Sequence, residues 1–147
     1  MSELLAAFGE DSILIREKVG DRELAIKIAG ELLVNGGKVE PSYVQSMLDA
    51  VAKFGPYIVI APGIALAHGK PGDDVIDTGL SLLVLKTPIN FEHQQNDQVS
   101  LVFGLAARDH ESHISIMASL AEVLSDQAKV DSLLRSKDSD QIRDLLA

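Results

Sequence analysis

Residues 57–68, "YIVIAPGIALAH", decide the fold of this chain, because they place two short apolar runs on either side of a turn signal. Pro62 and Gly63 separate the runs, so we expect two buried strands joined by a tight connection. Two further apolar runs, 79–91 and 99–107, contain few polar positions, which is typical of strands covered on both faces. The sequence therefore predicts a central sheet packed between helices.

Helical signals precede these strands. In the segment 21–37, Asp21 is placed to cap a helix that a Gly-Gly pair ends. Large apolar residues at helical spacing predict one face of this helix: Leu24, Ile28 and Leu32. The segment 40–56 predicts a second helix, which has Pro41 in its first turn and stops at a Gly-Pro pair.

Helical spacing returns after Ala107, where Asp109 is the expected cap of a third long helix. Its apolar stripe is expected to contain His113, Ile116, Met117, Leu120 and Leu124. Two short helices are predicted at the end of the chain, and a short strand at 12–19. The fold class is therefore α/β: residues 1–147 are expected to form a single domain, a three-layer sandwich with a mixed central sheet and helices on both faces.

The composition restricts the partners and the chemistry. Twenty-two acidic and thirteen basic residues give a net charge of −9, which disfavours nucleic acid and anionic lipid and favours a basic protein partner. The chain has no cysteine, so disulfides, thiolate metal sites and cysteine nucleophiles are excluded. No apolar stretch approaches the ~20 residues of a membrane span, and the first residues lack a basic leader, so we expect a cytoplasmic protein.

His68 is the first candidate functional residue. It closes the run "IALAH" and is followed by Gly69, which adds a permissive backbone and an unhindered N–H donor, and by Lys70, which adds a positive charge. Strand ends are where α/β sheets usually present their chemistry, and a neutral imidazole is a nucleophile, a base or a metal ligand. The alternative is that His68 only ends the strand and hydrogen-bonds the turn.

His113 is the second candidate. It lies in the first turn of its helix, where the N–H groups and the helix dipole favour an anion, although it could also be a satisfied, partly buried histidine. Arg108 could complete an anion pocket or simply be solvated. His110 and His113 have a spacing that can bind a metal, but no H-E-x-x-H pattern supports this. His93 lies in a polar loop and is expected to be exposed and without a role.

Residues 54–85 closely resemble the mannitol/fructose-type enzyme IIA family of the bacterial phosphoenolpyruvate-dependent sugar phosphotransferase system, through the segment Gly-Ile-Ala-x-x-His-Gly. Segments 25–51 and 88–124 resemble the helix pair, the later strands and the histidine-bearing helix of the same family, so the resemblance covers nearly the whole chain. The Phe-Gly-Pro-Tyr lead-in and the Ala-Pro-Gly turn are most similar to the ascorbate-specific branch.

The resemblance implies a mechanism. It implies that His68 accepts a phosphoryl group from the phosphohistidine of the carrier HPr and passes it to a cysteine of a cognate enzyme IIB. The membrane subunit IIC would then transport the sugar, which the branch implies is ascorbate. It also implies that His113 helps to hold the phosphoryl group, and that no metal or organic cofactor takes part.

Two departures from the family pattern leave alternatives open. Ala67 stands where many members have proline, and the segment 47–54 lacks an arginine that other branches carry, for which Lys53 and Arg108 are the candidate substitutes. One alternative function is a regulatory module of the nitrogen-regulation type, which binds targets according to its phosphorylation state. Another is a metal-dependent hydrolase built from His68 and the helix histidine pair. Symmetric contacts leave no spacing signature, so a homodimer stays open.

Overall fold

The computed structural model describes residues 3–93 and 95–147. The elements in chain order are α1 (Glu3–Ala7), β1 (Phe8–Arg16), α2 (Arg22–Asn35), α3 (Ser42–Phe54), a 3-10 turn (Pro56–Ile58), β2 (Val59–Ala61), β3 (Ile64–His68), β4 (Gly79–Ile89), β5 (Val99–Ala106), α4 (His110–Leu124), α5 (Gln127–Arg135) and α6 (Ser139–Leu146). All the predicted helices and strands are present. The first strand begins four residues earlier than the predicted 12–19 and ends three residues earlier.

The five strands form one mixed sheet in the order β1-β4-β5-β3-β2. The pairs β1/β4 and β3/β5 are parallel, whereas β4/β5 and β2/β3 are antiparallel. Gly63 makes the tight connection between β2 and β3 with a φ of 76°, a conformation that suits glycine. Because β3 and β5 are parallel neighbours, their carboxyl ends lie at the same edge of the sheet.

Helices cover both faces of this sheet, so the predicted three-layer architecture is confirmed. Alternate residues of β4 belong to different cores: Leu83 packs with α2 and α3, and Leu82 packs with α1, α4, α5 and α6. This explains why residues 79–85 form an apolar run, since neither face of that part of the strand meets water; the following residues 86–88 are exposed. Full burial of a leucine side chain contributes roughly 1.5–3 kcal/mol, so the central strands hold the layers together.

The predicted face of α2 is only partly buried: Leu32 is in the core and Ile28 packs against it, but Leu24 is 44% exposed. The neighbouring face is also buried, and it contains the small residues Ala25, Ala29 and Gly30 together with Ile26 and Leu33. The cause is a close approach between the helix and the sheet, where the Ser81 hydroxyl donates to the Ala29 carbonyl at 2.7 Å. A larger side chain at Ala29 would prevent that approach, whereas Gly30 faces Val44 and Met47 of α3.

The predicted helix caps are confirmed. The Asp21 side chain accepts from the Leu24 N–H at 2.8 Å, and the Asp109 side chain accepts from the Ser112 N–H at 2.7 Å. Gly55, with a φ of 78°, ends α3 and turns the chain toward β2. Gly55 and Asp109 thus fix where α3 ends and where α4 begins relative to the end of β3, which is where the candidate site lies.

Candidate phosphoryl-transfer site

His68 is the last residue of β3 and is half-buried at the edge of the sheet. Its backbone is aligned with Leu105 of β5, and only three residues separate the end of β5 from the start of α4. This short connection brings the first turn of α4 over the end of β3. The ring centroids of His68 and His113 are 5.5 Å apart, with the ring planes at 68°. The structure therefore brings the two candidate histidines together.

Two aromatic residues continue the cluster on the other side of His68. The Tyr57 ring meets the His68 ring edge to face, at 5.9 Å between centroids, and Phe54 meets Tyr57 in the same way at 5.8 Å. Both side chains remain largely exposed, at 59% for Phe54 and 44% for Tyr57. The sequence signals their presence through the Phe-Gly-Pro-Tyr motif but gives no indication that Tyr57 packs against the histidine.

The segment after His68 is held by helix α3. The Gly69 N–H donates to the Tyr43 hydroxyl at 2.9 Å, and the Lys70 N–H donates to the Ser46 hydroxyl at 3.0 Å. The N–H of Gly69 is therefore not free to bind an anion, contrary to its expected use as an open donor. Tyr43 and Ser46 are the residues of this site that sequence reasoning missed. A tyrosine on an apolar helix face was the available signal, because a buried hydroxyl requires partners.

Both histidines favour the neutral form. Burial lowers the pKa of His68, and the neighbouring His113 lowers it further, while the Leu66 backbone opposes these effects. Burial also lowers the pKa of His113, with a smaller contribution from the charge of His110. At neutral pH both rings are therefore neutral, and each has a nitrogen lone pair available.

The two nitrogens of His68 lie in different environments. Nδ1 is buried, and among the described residues it has no hydrogen-bond partner of normal geometry. Nε2 is not buried in this way, so the accessible edge of the half-buried ring carries Nε2. Nε2 is therefore the nitrogen that an approaching group can reach.

Two cavities meet at His68. A groove of about 690 Å³ runs along α3 and is bordered by Lys53, Lys70 and Asp49 as well as by the aromatic pair. A smaller cavity of about 280 Å³ lies between His68 and His113 and is bordered by Asp109 and His110. Lys53 and Lys70 are thus the cations beside His68, whereas Arg108 borders neither cavity.

The remaining polar candidates have other surroundings. Hydrogen bonding from the Ser112 N–H keeps the pKa of Asp109 low, so its carboxylate is occupied as a helix cap. His93 is half-buried, and its Nδ1 accepts from the N–H groups of Gln95 and Asn96 at 3.2 and 3.0 Å, so it shapes its loop and is not idle.

Among residues 3–93 and 95–147, no three His, Cys, Asp or Glu side chains are grouped as a metal would require. The hydrolase alternative therefore lacks a ligand set there.

The chain belongs to the family described as "Phosphoenolpyruvate-dependent sugar phosphotransferase system, EIIA 2", whose model matches residues 6–147. It is accordingly an EIIA component of a phosphotransferase system. It is 38% identical over 137 residues to the ascorbate-specific PTS system EIIA component of Salmonella choleraesuis (strain SC-B67), which spans 92% of this chain and 89% of that protein. The homologous ascorbate-specific component of Escherichia coli (strain K12) is 38% identical over 136 residues, covering 92% and 88%.

The fold agrees with solved structures of this family. The crystal structure of IIA mannitol from Escherichia coli matches with a TM-score of 0.82 and 36% identity, over 95% of this chain and 98% of that one. A complex of mannitol enzyme IIA with phosphorylated enzyme IIB from the same organism matches with a TM-score of 0.82 and 35% identity, over 94% and 95%. In the described part of this chain, no helix has the length and apolarity needed to cross a membrane.

Proposed function

We propose that this protein is a phosphohistidine relay in which Nε2 of His68 accepts a phosphoryl group from the phosphohistidine of HPr. The group then passes to a cysteine of a cognate enzyme IIB that serves ascorbate uptake. The observation that supports this most directly is the His68–His113 ring pair, whose ring centroids are 5.5 Å apart and in which His68 has a reachable neutral nitrogen. In each transfer one bond to phosphorus breaks as another forms, and no cofactor is needed.

Phosphoryl transfer depends on positioning and on stabilising charge at the phosphoryl oxygens. His113 is suited to contact those oxygens, because its ring borders the same small cavity as His68. The positive end of the α4 dipole borders this cavity as well, since His110 is the first residue of the helix. Lys70 adds a cation on the groove side. These groups would hold the phosphoryl group without an arginine.

The surroundings of His68 suit docking of a protein. Phe54 and Tyr57 lie on one side of the ring. Ile114, which is 54% exposed, is the residue after His113 in α4. Exposed aromatic and aliphatic side chains of this kind form the apolar centres of protein interfaces. The homologous mannitol enzyme IIA of Escherichia coli forms a complex with phosphorylated enzyme IIB, which supports the same class of partner here.

Intact-mass analysis after incubation with phosphoenolpyruvate, enzyme I and HPr tests the first step. We expect one acid-labile phosphoryl group on the wild type and on the His93→Gln control, none on His68→Gln, and slower labelling of His113→Gln. Labelling of His68→Gln at the wild-type level would refute the assignment of His68. Absence of label from the wild type would refute the relay itself.

The second step is tested by mixing the labelled protein with purified IIB proteins. We expect the label to move to an ascorbate-type IIB and not to its Cys→Ser variant at the acceptor position. Faster transfer to a mannitol-type IIB would overturn the ascorbate assignment while leaving the relay in place. A deletion strain that takes up ascorbate normally but shows altered gene expression would favour the regulatory alternative.

A further inference from the structure

Tyr43 occupies a junction between three elements beside His68. Its hydroxyl accepts from the Gly69 N–H at 2.9 Å and donates to the Leu105 carbonyl at 2.9 Å. Leu105 is the residue of β5 aligned with His68, so the hydroxyl links the segment that follows His68 to the neighbouring strand. Burial raises the pKa of Tyr43 to about 12, so the hydroxyl keeps the proton that it donates.

Ser46 extends the same attachment by one residue. It lies one helical turn after Tyr43, on the same side of α3, and its hydroxyl accepts from the Lys70 N–H at 3.0 Å. The helix and the segment approach so closely that a Cβ at Gly69 would lie 2.6 Å from the Ser46 Oγ. Two consecutive peptide N–H groups after His68 are thus fixed by two side chains of one helix.

The restraint on the His68 ring itself is weak. A functional histidine is usually oriented by a hydrogen bond at the nitrogen that does not react. Here Nδ1 is buried, and within residues 3–93 and 95–147 it has no hydrogen-bond partner of normal geometry, so the Leu66 backbone holds the ring loosely. The aromatic contacts of the ring are with Tyr57 and His113. Tyr57 is largely exposed, so it provides a weak restraint. The direction of Nε2 therefore depends on the backbone at 68–70, which is what α3 holds.

We propose that Tyr43 and Ser46 are positioning residues for phosphoryl transfer, and that their hydroxyls set the direction of Nε2 by fixing the backbone that follows His68. This inference rests on the proposed relay function. In this proposal each residue acts through His68 and not through contact with the phosphoryl group. An ångström-scale displacement of a reacting nitrogen costs up to about 100-fold in rate, and we expect a loss of roughly 10- to 100-fold in the kcat of Tyr43→Phe.

Kinetics with purified phospho-HPr separate positioning from stability. Tyr43→Phe and Ser46→Ala should both lower kcat and leave KM for phospho-HPr within about twofold, because the docking surface is intact. Ser136→Ala is the matched control, since it also removes a hydroxyl that donates to a backbone carbonyl, at 2.9 Å, in a buried residue at the end of α5. It should lower the thermal midpoint without changing kcat. Wild-type kcat in both α3 variants would overturn the proposal.

Nuclear magnetic resonance provides a readout that does not depend on labelling. In Tyr43→Phe we expect the Gly69 amide to exchange faster and the His68 ring signals to shift or broaden, whereas Ser136→Ala should change neither. Unchanged His68 signals in a folded Tyr43→Phe protein would show that Tyr43 is only structural. If the wild-type protein accepts no phosphoryl group, the proposed relay function is refuted. The His68 signals then still test whether α3 orients the ring.

Discussion

Replacement of Gly69 by alanine tests how closely α3 must approach the end of β3. An added Cβ would lie 2.6 Å from Oγ and 2.9 Å from Cβ of Ser46, and 3.2 Å from the backbone nitrogen of Met47. Ordinary contact begins at 3.4 Å, so the segment or the helix must move by ~0.8 Å. That movement would also stretch the hydrogen bonds that Gly69 and Lys70 donate to α3.

The expected magnitudes follow from these contacts. Forcing an extra carbon into a packed region costs about 1–3 kcal/mol, and each weakened hydrogen bond adds up to about 1 kcal/mol. We therefore expect Gly69→Ala to lose roughly 2–4 kcal/mol of unfolding free energy, against a usual total of about 5–15 kcal/mol. The rate of phosphorylation should fall more than the fraction folded, because the displaced residue is next to His68.

Urea denaturation and single-turnover phosphorylation measure the two effects. Gly20→Ala is the matched control, because a Cβ at that position meets nothing within 4 Å. The double variant Gly69→Ala/Ser46→Ala removes the 2.6 Å contact with Oγ and should recover part of the stability, so the two substitutions should not be additive. If Gly69→Ala matches the wild type in both urea midpoint and labelling rate, the account of the close approach is wrong.

Three further predictions concern protonation, docking and the α4 cap. Burial lowers the pKa values of His68 and His113 in the folded state, so these two rings bind fewer protons in the folded protein than in the unfolded chain. The free energy of unfolding should therefore fall as the pH drops below about 6.5. Urea midpoints measured between pH 8 and 5 should fall less steeply in His68→Gln than in the wild type. Phe54→Ala should raise KM for phospho-HPr about fivefold or more with kcat little changed, whereas the similarly exposed Ile76→Ala should not; equal effects would refute docking at Phe54. Asp109→Ala should slow phosphorylation by loosening the first turn of α4 and Asp109→Asn should not, as measured by labelling rate and helix content; equal rates in both variants would contradict this role of the cap.

The sequence predicted the layers because their signals are local. The continuous apolar run of β4 predicts burial on both faces, and Leu82 and Leu83 do enter opposite cores. The helix caps could be predicted in the same way, since Asp21 and Asp109 stand just before helical spacing begins. Placing His68 at a strand end and His113 in a first turn needed only such local patterns.

The structural details that the sequence did not predict depend on contacts between distant segments. Leu24 has the spacing of a core residue, but the sheet selects the neighbouring face of α2, where Ala29 allows a close approach. Helical periodicity cannot distinguish two adjacent faces that are both apolar. The bonds from Gly69 to Tyr43 and from Lys70 to Ser46 join residues 26 and 24 positions apart. No spacing rule relates a peptide N–H to a hydroxyl on another element.

Half-burial of His68 follows from two requirements that oppose each other. Full exposure would leave the pKa of the ring near its ordinary value of about 6.5, so a sizeable fraction would be protonated near neutral pH, and the ring would be free to turn. Full burial would keep it neutral but out of reach of a second protein. In this structure Nδ1 is buried and the opposite edge is accessible, which lowers the pKa and still presents a lone pair.

The orientation of the His68 ring can be restrained either at Nδ1 or through the backbone that follows it. A hydrogen bond from Nδ1 to a carboxylate would orient the imidazole but would also favour its protonated, non-nucleophilic form. Restraining the backbone at Gly69 and Lys70 through neutral hydroxyls orients the same ring without adding charge beside it. In the proposed relay the ring must be neutral to accept a phosphoryl group, and the hydroxyls of Tyr43 and Ser46 offer this second kind of restraint.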